Sequence, residues 1–423
     1  MSKRTLELEL ATPGVDAKGH ATRVPLTATA EPSLGEEHML VNMGPQHPAT
    51  HGVLRLVVEL DGETVVRCIP HLGYLHSGFE KLGEYRHYNQ IIPLTDRTDY
   101  LSPMSNNVGF ALAAEKLMGI EITPRCQVLR VIACEMSRII SHMVWLGTTS
   151  IDLGAFTPFL WAFQEREKIY DLQEMWTGAR LTTSLTRVGG LLADIPDGFV
   201  DKLRDFTKTF PKTLGEIDRV LTRNAVWAGR TQGVGTLTAE EAINHSLSGP
   251  MLRASGVPYD VRKDKPYLGY ETYDFRVPIE TGGDVYARYL VRVAEMREST
   301  KLCRQALERI SPTGVFAIDD PRITPPPKDR VYTEMEALIQ HFLIYSQGFT
   351  VPAGEAYVPV EGPRGEQGFY VVSDGTNRPW RVKSRPPSLL ACQALEKMIV
   401  GGLIADVIAV IGSTDVVMGD VDR

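Results

Sequence analysis

TPRCQVLRVIACEMSRIISHMVWL, residues 123–146, sets the character of the fold. Thr123 followed by Pro124 is an N-cap and first-turn pair: the hydroxyl can accept from a free amide, and proline has no amide to leave unsatisfied. Apolar residues then recur at helical spacing, which predicts one long helix to about Leu146. Glu135, Arg138 and His142 lie three and four apart, so they share a face. Such a stripe reads either as a solvated salt-bridge ladder or as part of a site. Its flanks, Ile132, Ile139 and Val144, mark a helix that is also well buried.

Outward from this stretch, helices dominate. An Ala-rich run at 106–118 ends at Gly119, and Thr157-Pro158 repeats the capping device to open a helix to about Trp176. Residues 197–223, 284–310 and 333–345 also carry apolar residues at helical spacing. Strands are predicted at 53–60 and 64–69, joined by the turn Asp61-Gly62, and again at 356–360, 368–372 and 380–383. A small-residue apolar run at 388–411 reads as one last helix, and 230–278 as loop-rich. The expectation is an α+β fold, mainly α, with a helical bundle and β elements near both chain ends. Residues 1–36 read as a partly ordered tail and 37–423 as one domain; Pro325-Pro326-Pro327 is a local linker.

Three places could carry chemistry. In Gly44-Pro-Gln-His47-Pro-Ala-Thr-His51-Gly52, Pro48 disfavours helical geometry at His47, so the two imidazoles sit on a stiff loop that aims His51. Imidazole has an unperturbed pKa of roughly 6.5, which suits a proton donor near neutrality. It can equally cap strand ends. Arg97-Thr-Asp-Tyr100 places a phenol that can donate to an oxyanion or serve structure alone. Asp152, among apolar and small residues, is either hydrogen-bonded locally or orients a histidine.

The totals exclude several classes. The net charge of -7 argues against a nucleic-acid partner, which needs a basic stripe. The most apolar run, 398–412, is too short to cross a bilayer and carries Asp406. The first ten residues lack an apolar signal core, so the chain reads as cytosolic and able to dock on a membrane protein. Cys68, Cys126, Cys134, Cys303 and Cys392 are scattered, with no Cys-x-x-Cys pair. No metal bound by this chain is expected, and a metal-based electron carrier belongs on another polypeptide. No Walker loop, no Gly-x-Gly-x-x-Gly after a strand and no Gly-x-Ser-x-Gly is present.

GPQHPATHGVLRL (44–56), HLGYLHSGFEK (71–81), DRTDYL (96–101), SRIISHMVWLG (137–147), DLGAFTPF (152–159), LRASGVPYDVRK (252–263), VSDGTNRPWRVKSRPPS (372–388) and STDVVMGDVDR (413–423) occur in this order. Together they resemble the D-type, or 49-kDa-type, family of subunits of proton-pumping NADH:quinone oxidoreductase, respiratory complex I. That family is similar in turn to the large subunit of nickel–iron hydrogenases, whose metal is held by one Cys-x-x-Cys near each end. Here those positions correspond to Asp99 and Ser102, and to Val417 and Asp420, so soft-metal ligation is gone. The resemblance implies that the vacated cradle became the head of a quinone pocket.

It further implies that His51 and Tyr100 hydrogen-bond the quinone and that Asp152 pairs with His51 and sets its tautomer. Thr148 and Val417 would line the pocket. His142 and Arg138 would lie near a [4Fe-4S] cluster on the neighbouring B-type subunit. The implied partners within complex I are that cluster-bearing B-type subunit, the C-type subunit and the H-type subunit in the membrane. The implied location is the cytoplasmic side of the bacterial cell membrane, reached through the complex. Ser77 departs from the arginine of several relatives, which removes a cation that could tune the cluster. Asn107 and Pro103 are milder departures.

Overall fold

The computed structural model describes residues 11–15, 21–25, 38–47, 50–311 and 313–423. Most of the segment read as a tail lies outside the described residues; within it, Ala11–Val15 pairs antiparallel with Ala21–Pro25. The rest is mainly helical, with two three-stranded antiparallel sheets that belong to opposite ends of the chain.

The helix that opens at Thr123 is the spine. Thr123 accepts a hydrogen bond from the Cys126 amide, and the helix runs over Pro124–Asp152, a turn and a half beyond the predicted end. Nothing in Gly147-Thr-Thr-Ser-Ile-Asp stops it, because buried contacts override the modest propensity of those residues. Around it pack Pro103–Met118, Phe156–Thr177, Val285–Arg309 and Ile404–Thr414. Their shared core includes Ile132, Met136, Ile139, Met143, Trp145 and Leu146, all at 2% exposure or less. Such interdigitation is where most of the stabilisation of burial arises.

The Phe156–Thr177 helix begins one residue before Thr157-Pro158, with Ala155 as an N-cap that makes no side-chain bond. A helix not anticipated in full spans Tyr88–Thr98 and contains Pro93, so Arg97 and Thr98 close a helix and Asp99 caps it.

The predicted last helix is broken into Pro387–Gln393, Leu395–Ile399 and Ile404–Thr414, followed by Met418–Asp422. The cause is tertiary. Gly401 and Gly402 leave the helix and extend the amino-terminal sheet: the Gly401 amide donates to the Val65 carbonyl (2.8 Å) and the Val65 amide to the Gly402 carbonyl (2.9 Å). The sheet of Met39–Met43, Arg55–Asp61 and Thr64–His71 is thereby tied to the carboxy end. One apolar cluster joins Leu54, Leu56, Val58 and Cys68 to Leu395, Met398, Val407 and Met418.

Leu395 is fully buried at that junction. Leu395→Ala is expected to cost about 2–5 kcal/mol through lost transfer energy and a cavity. A urea midpoint for the chain unmoved from wild type would show that the two ends are not packed together.

Candidate functional site

Three distant segments meet at one buried point. The first is the histidine loop. Its neck is closed by the Leu54 amide donating to the Pro45 carbonyl (2.9 Å), and its interior by the Thr50 hydroxyl donating to the His47 carbonyl (2.8 Å). His51 adopts a left-handed backbone (φ 43°) and Gly52 follows at φ 142°. A Cβ on Gly52 would sit 2.7 Å from Met418 Cβ, so the loop can approach the carboxy end only without a side chain there.

The second segment follows the Tyr88–Thr98 helix. The Tyr100 hydroxyl donates to the His51 carbonyl, which also accepts from the Met418 amide at 3.4 Å. Burial pushes the Tyr100 phenol up to about 12, with Asp99 adding and Arg364 opposing, so it keeps its proton at neutral pH. The third segment is Asp415 to Asp420. Val417 is fully buried and packs with Leu101, Val144 and Tyr100. Asp99, Ser102, Val417 and Asp420 are all buried.

His51 does not pair with Asp152. Its Nε2 lies 3.3 Å from Asp415 Oδ1, whereas Asp152 Oδ2 is 3.8 Å from Nδ1 of His47. The physical reason is the left-handed turn at His51, which faces a second left-handed residue, Asp415 (φ 53°), at the end of the Ile404–Thr414 helix. Asp152, the last residue of its own helix, faces the entry of the loop. Burial raises its carboxyl, and His47, then His51, pull it back.

Arg364 ties this point together. It bonds Asp99 at 2.8 and 3.0 Å, the Asp415 carboxylate at 3.2 Å and the Asp415 carbonyl at 2.7 Å. Burial would raise Asp415, yet Arg364, His51 and Arg292 hold it below the usual carboxylate range. Asp99 is raised, first by burial and then by Asp415, against the pull of Arg364. Asp420 is pushed up to about 7 by burial and by Asp99, while its Oδ2 accepts from the Ser388 amide (3.0 Å). Thr148 spends its hydroxyl on its own helix, donating to the Val144 carbonyl at 3.0 Å.

The stripe on the spine helix is no solvated ladder. Glu135, Arg138 and His142 are fully buried. His142 Nε2 lies 2.9 Å from Glu295, which accepts from Arg253 at 2.6 Å. Arg253 bonds Glu361 at 2.9 Å, and Arg138 donates to the carbonyls of Glu361 (2.6 Å) and Gly362 (2.9 Å). Burial drives His142 below its ordinary value, with Glu295 opposing, so the ring is neutral at pH 7. Both networks converge on the turn between Gly354–Gly362 and Gly365–Ser373, which carries Arg364 at its tip. A Cβ on Gly365 (φ 131°) would come within 2.8 Å of the Gly249 amide, so the tip fits its slot only as glycine.

A hollow of about 460 Å³ opens where the 71–81 segment meets the carboxy end. Asp422 accepts from the amides of Gly73 (2.8 Å) and Leu75 (2.7 Å), and Arg423 bonds Glu80 at 3.0 Å. Lys81, Arg381 and Arg423 border it. Ser77 only donates to the Leu75 carbonyl, at 3.3 Å. Among the described residues, no group of three or more His, Cys, Asp or Glu side chains is placed to hold a metal ion.

The family pattern described as respiratory-chain NADH dehydrogenase, 49 Kd subunit, matches residues 152–423. The NADH-quinone oxidoreductase D subunit of Geotalea uraniireducens is 54% identical over 387 residues, 92% of this chain and 99% of that protein. The D subunit of Geobacter metallireducens is 53% identical over the same shares, and that of Methylacidiphilum infernorum 52% over 92% of each chain. The chain belongs to this 49 kDa family of oxidoreductase subunits.

Within this family member, the residues that reading the sequence missed are Asp415, Arg364, Arg292, Glu295, Arg253 and Glu361. A signal existed for two of them: Arg364 interrupts a strand pair in Glu361-Gly-Pro-Arg-Gly-Glu366, and Asp415 breaks an apolar run. Arg292 and Glu295 sit in a helix rich in charges, where nothing local separates buried from exposed.

Arg364→Gln removes the buried guanidinium that bonds both Asp99 and Asp415, which is expected to cost about 3–5 kcal/mol. A urea midpoint within error of wild type would remove Arg364 from its place in the architecture. Asp420, raised from 3.8 to about 7, contributes stability that is fully present below its unfolded value and lost as pH rises through about 7. Asp420→Asn is therefore expected to flatten the fall in melting temperature between pH 5 and 8. Parallel wild-type and variant curves would contradict that assignment.

Proposed function

We propose that this chain forms the head-group site for quinone in NADH-quinone oxidoreductase, together with a cluster-bearing B-type subunit, and couples quinone reduction to proton translocation. The observation that carries the reading is the junction of a protonated phenol, Tyr100, and an imidazole, His51, backed by buried carboxylates. The names of the relatives, all D subunits of NADH-quinone oxidoreductase, support it.

Quinone reduction takes two electrons and two protons onto two carbonyl oxygens. The chain's own thiols do not suit an electron carrier: the five cysteines are buried and free, and burial pushes Cys68 and Cys134 up to about 12. Electrons are taken to arrive from an iron–sulfur cluster on the partner. This chain's residues then position the acceptor and move protons. The Tyr100 hydroxyl now donates to the His51 carbonyl. A quinone oxygen is the same kind of acceptor, so the substrate competes with that carbonyl for one donor. His51, whose Nε2 lies 3.3 Å from Asp415, is the donor for the second proton, while Val417 packs against Tyr100. Asp152 with His47 is placed at the entry of the loop.

His142 and Arg138 reach a partner's cluster only through intervening side chains, since both are fully buried. The cations around the 460 Å³ hollow, Lys81, Arg381 and Arg423, are paired with Glu84 and Glu80, so they do not replace the positive charge that Ser77 lacks. No helix among the described residues is long and apolar enough to cross a membrane. We place the chain on the cytoplasmic face, held there through the B-type, C-type and H-type partners.

Tyr100→Phe keeps the ring and its packing. In the purified complex it is expected to lower the quinone turnover at least about ten-fold, or about 1.4 kcal/mol of barrier. Oxidation of NADH by a soluble one-electron acceptor is expected to be unchanged. His51→Ala is expected to behave likewise. Normal quinone rate and KM in both variants would leave the chain as a scaffold.

A further inference from the structure

The helix Met335–Ser346 turns an apolar stripe to solvent. Of its twelve residues only Ala337 is buried. Met335, Leu338, Ile339 and Phe342 recur at helical spacing and are 69%, 53%, 51% and 66% exposed. That is the spacing of an interior-facing stripe, yet here it meets solvent. The helix is anchored elsewhere: the Gln340 amide donates to the carbonyls of Pro321 (2.6 Å) and Thr324 (3.3 Å). Beside it a hollow of about 360 Å³ is bordered by Ile339, Leu343, Arg322 and Gly348.

We propose that this face docks onto an apolar patch with a cationic rim on another protein of the oxidoreductase complex. The inference rests on the reading of the chain as a component of that complex. Six large apolar side chains on twelve residues, counting Leu343 and Tyr345, expose several hundred Å² in order of magnitude. One partner's share of a standard interface is roughly 800 Å².

Charge selects the occupant. From Val331 to Pro363 there is no lysine or arginine; the cations beside the helix, Arg330 and Arg322, are spent on Glu334 (2.8 Å) and Asp320 (2.6 Å), which leaves Glu336 without an ion pair among the described residues. A helix that lies on an anionic bilayer needs cations beside its apolar face, so a lipid surface is disfavoured. A second copy of this chain across a two-fold axis would set Glu336 near its own mate without a neutralising cation from the helix. A different protein of the complex, with basic residues around an apolar patch, satisfies both requirements.

The test combines Leu338→Glu and Phe342→Glu in the full chain, expressed with the other components of the complex. The isolated variant is expected to melt as wild type does, because both side chains already face water. Its recovery in the purified complex is expected to fall at least ten-fold, and Leu338→Met with Phe342→Leu to restore it. In wild type, amide exchange of residues 335–346 is expected to slow on assembly, a readout that needs no variant.

Wild-type recovery of the double glutamate variant, or no change in exchange, would overturn the proposal. So would binding of the isolated chain to phosphatidylglycerol vesicles that the glutamates abolish, or a dimer in sedimentation that they dissociate. A wild-type chain absent from the purified oxidoreductase would instead sink the functional reading itself.

Discussion

The guanidinium of Arg364 is the constraint on which the site depends. It is buried at the tip of a β-turn and neutralises Asp99 from the early part of the chain and Asp415 from the end. A charge taken out of water is stabilised only by partners in good geometry, and here Nη1 bonds both Asp99 oxygens, Nη2 the Asp415 carboxylate and Nε the Asp415 carbonyl. Each carboxylate is in turn confined, because that cation bonds both and offsets their mutual repulsion, with Arg292 and His51 adding to it at Asp415. His51 and Tyr100 inherit their positions from this arrangement. Asp415 sits 3.3 Å from the His51 ring, and Asp99 directly precedes Tyr100.

The same turn reaches the second network. Glu361 belongs to the strand that leads to Arg364, and it is held by Arg253 (2.9 Å) and the Val261 amide (3.1 Å). Glu361 is raised to about 7 by burial and by Asp260. It is a buried acid three residues from the cation that holds the site. Arg292 lies between the two networks, over the Trp145 ring at 4.4 Å, and its charge acts on both Asp415 and Glu295. In a low-dielectric interior such groups act on each other over greater distances than they would in water.

Much of the architecture was legible in the sequence because local chemistry and global packing agree there. Thr123-Pro124 starts the spine, Gly119 ends the helix before it, and the hairpin expected at Asp61-Gly62 turns one residue later, at Gly62-Glu63. The errors fall where distant contacts decide. Residues 388–411 have continuous helical character, but Gly401 and Gly402 are recruited by the edge of a strand more than three hundred residues earlier. At the site, the motifs drew attention to His51, Tyr100 and Asp152, and the structure brings all three to the histidine loop. The partner of His51 was not legible: two carboxylates lay in suitable motifs, and only the left-handed turns at His51 and Asp415 decide which one the ring faces.

Among the described residues, burial departs from polarity both inside the chain and on its surface. Arginines 130, 138, 253, 262, 288 and 292 are fully or almost fully buried, while the stripe Met335 to Phe342 is exposed. Arg292 leaves Nε and Nη1 without a hydrogen-bond partner among the described residues, and burial with neighbouring cations lowers it to about 10. A chain selected for its own stability would bury the leucines and expose the arginines, since apolar replacements of interior ion pairs often cost nothing. Interior charge is worth its desolvation where protons and electrons must be received away from water. Exposed leucine is tolerable where another surface covers it. Both departures fit a chain that folds as a component of a larger machine, with the electrostatic work inside and part of its apolar packing left to neighbours.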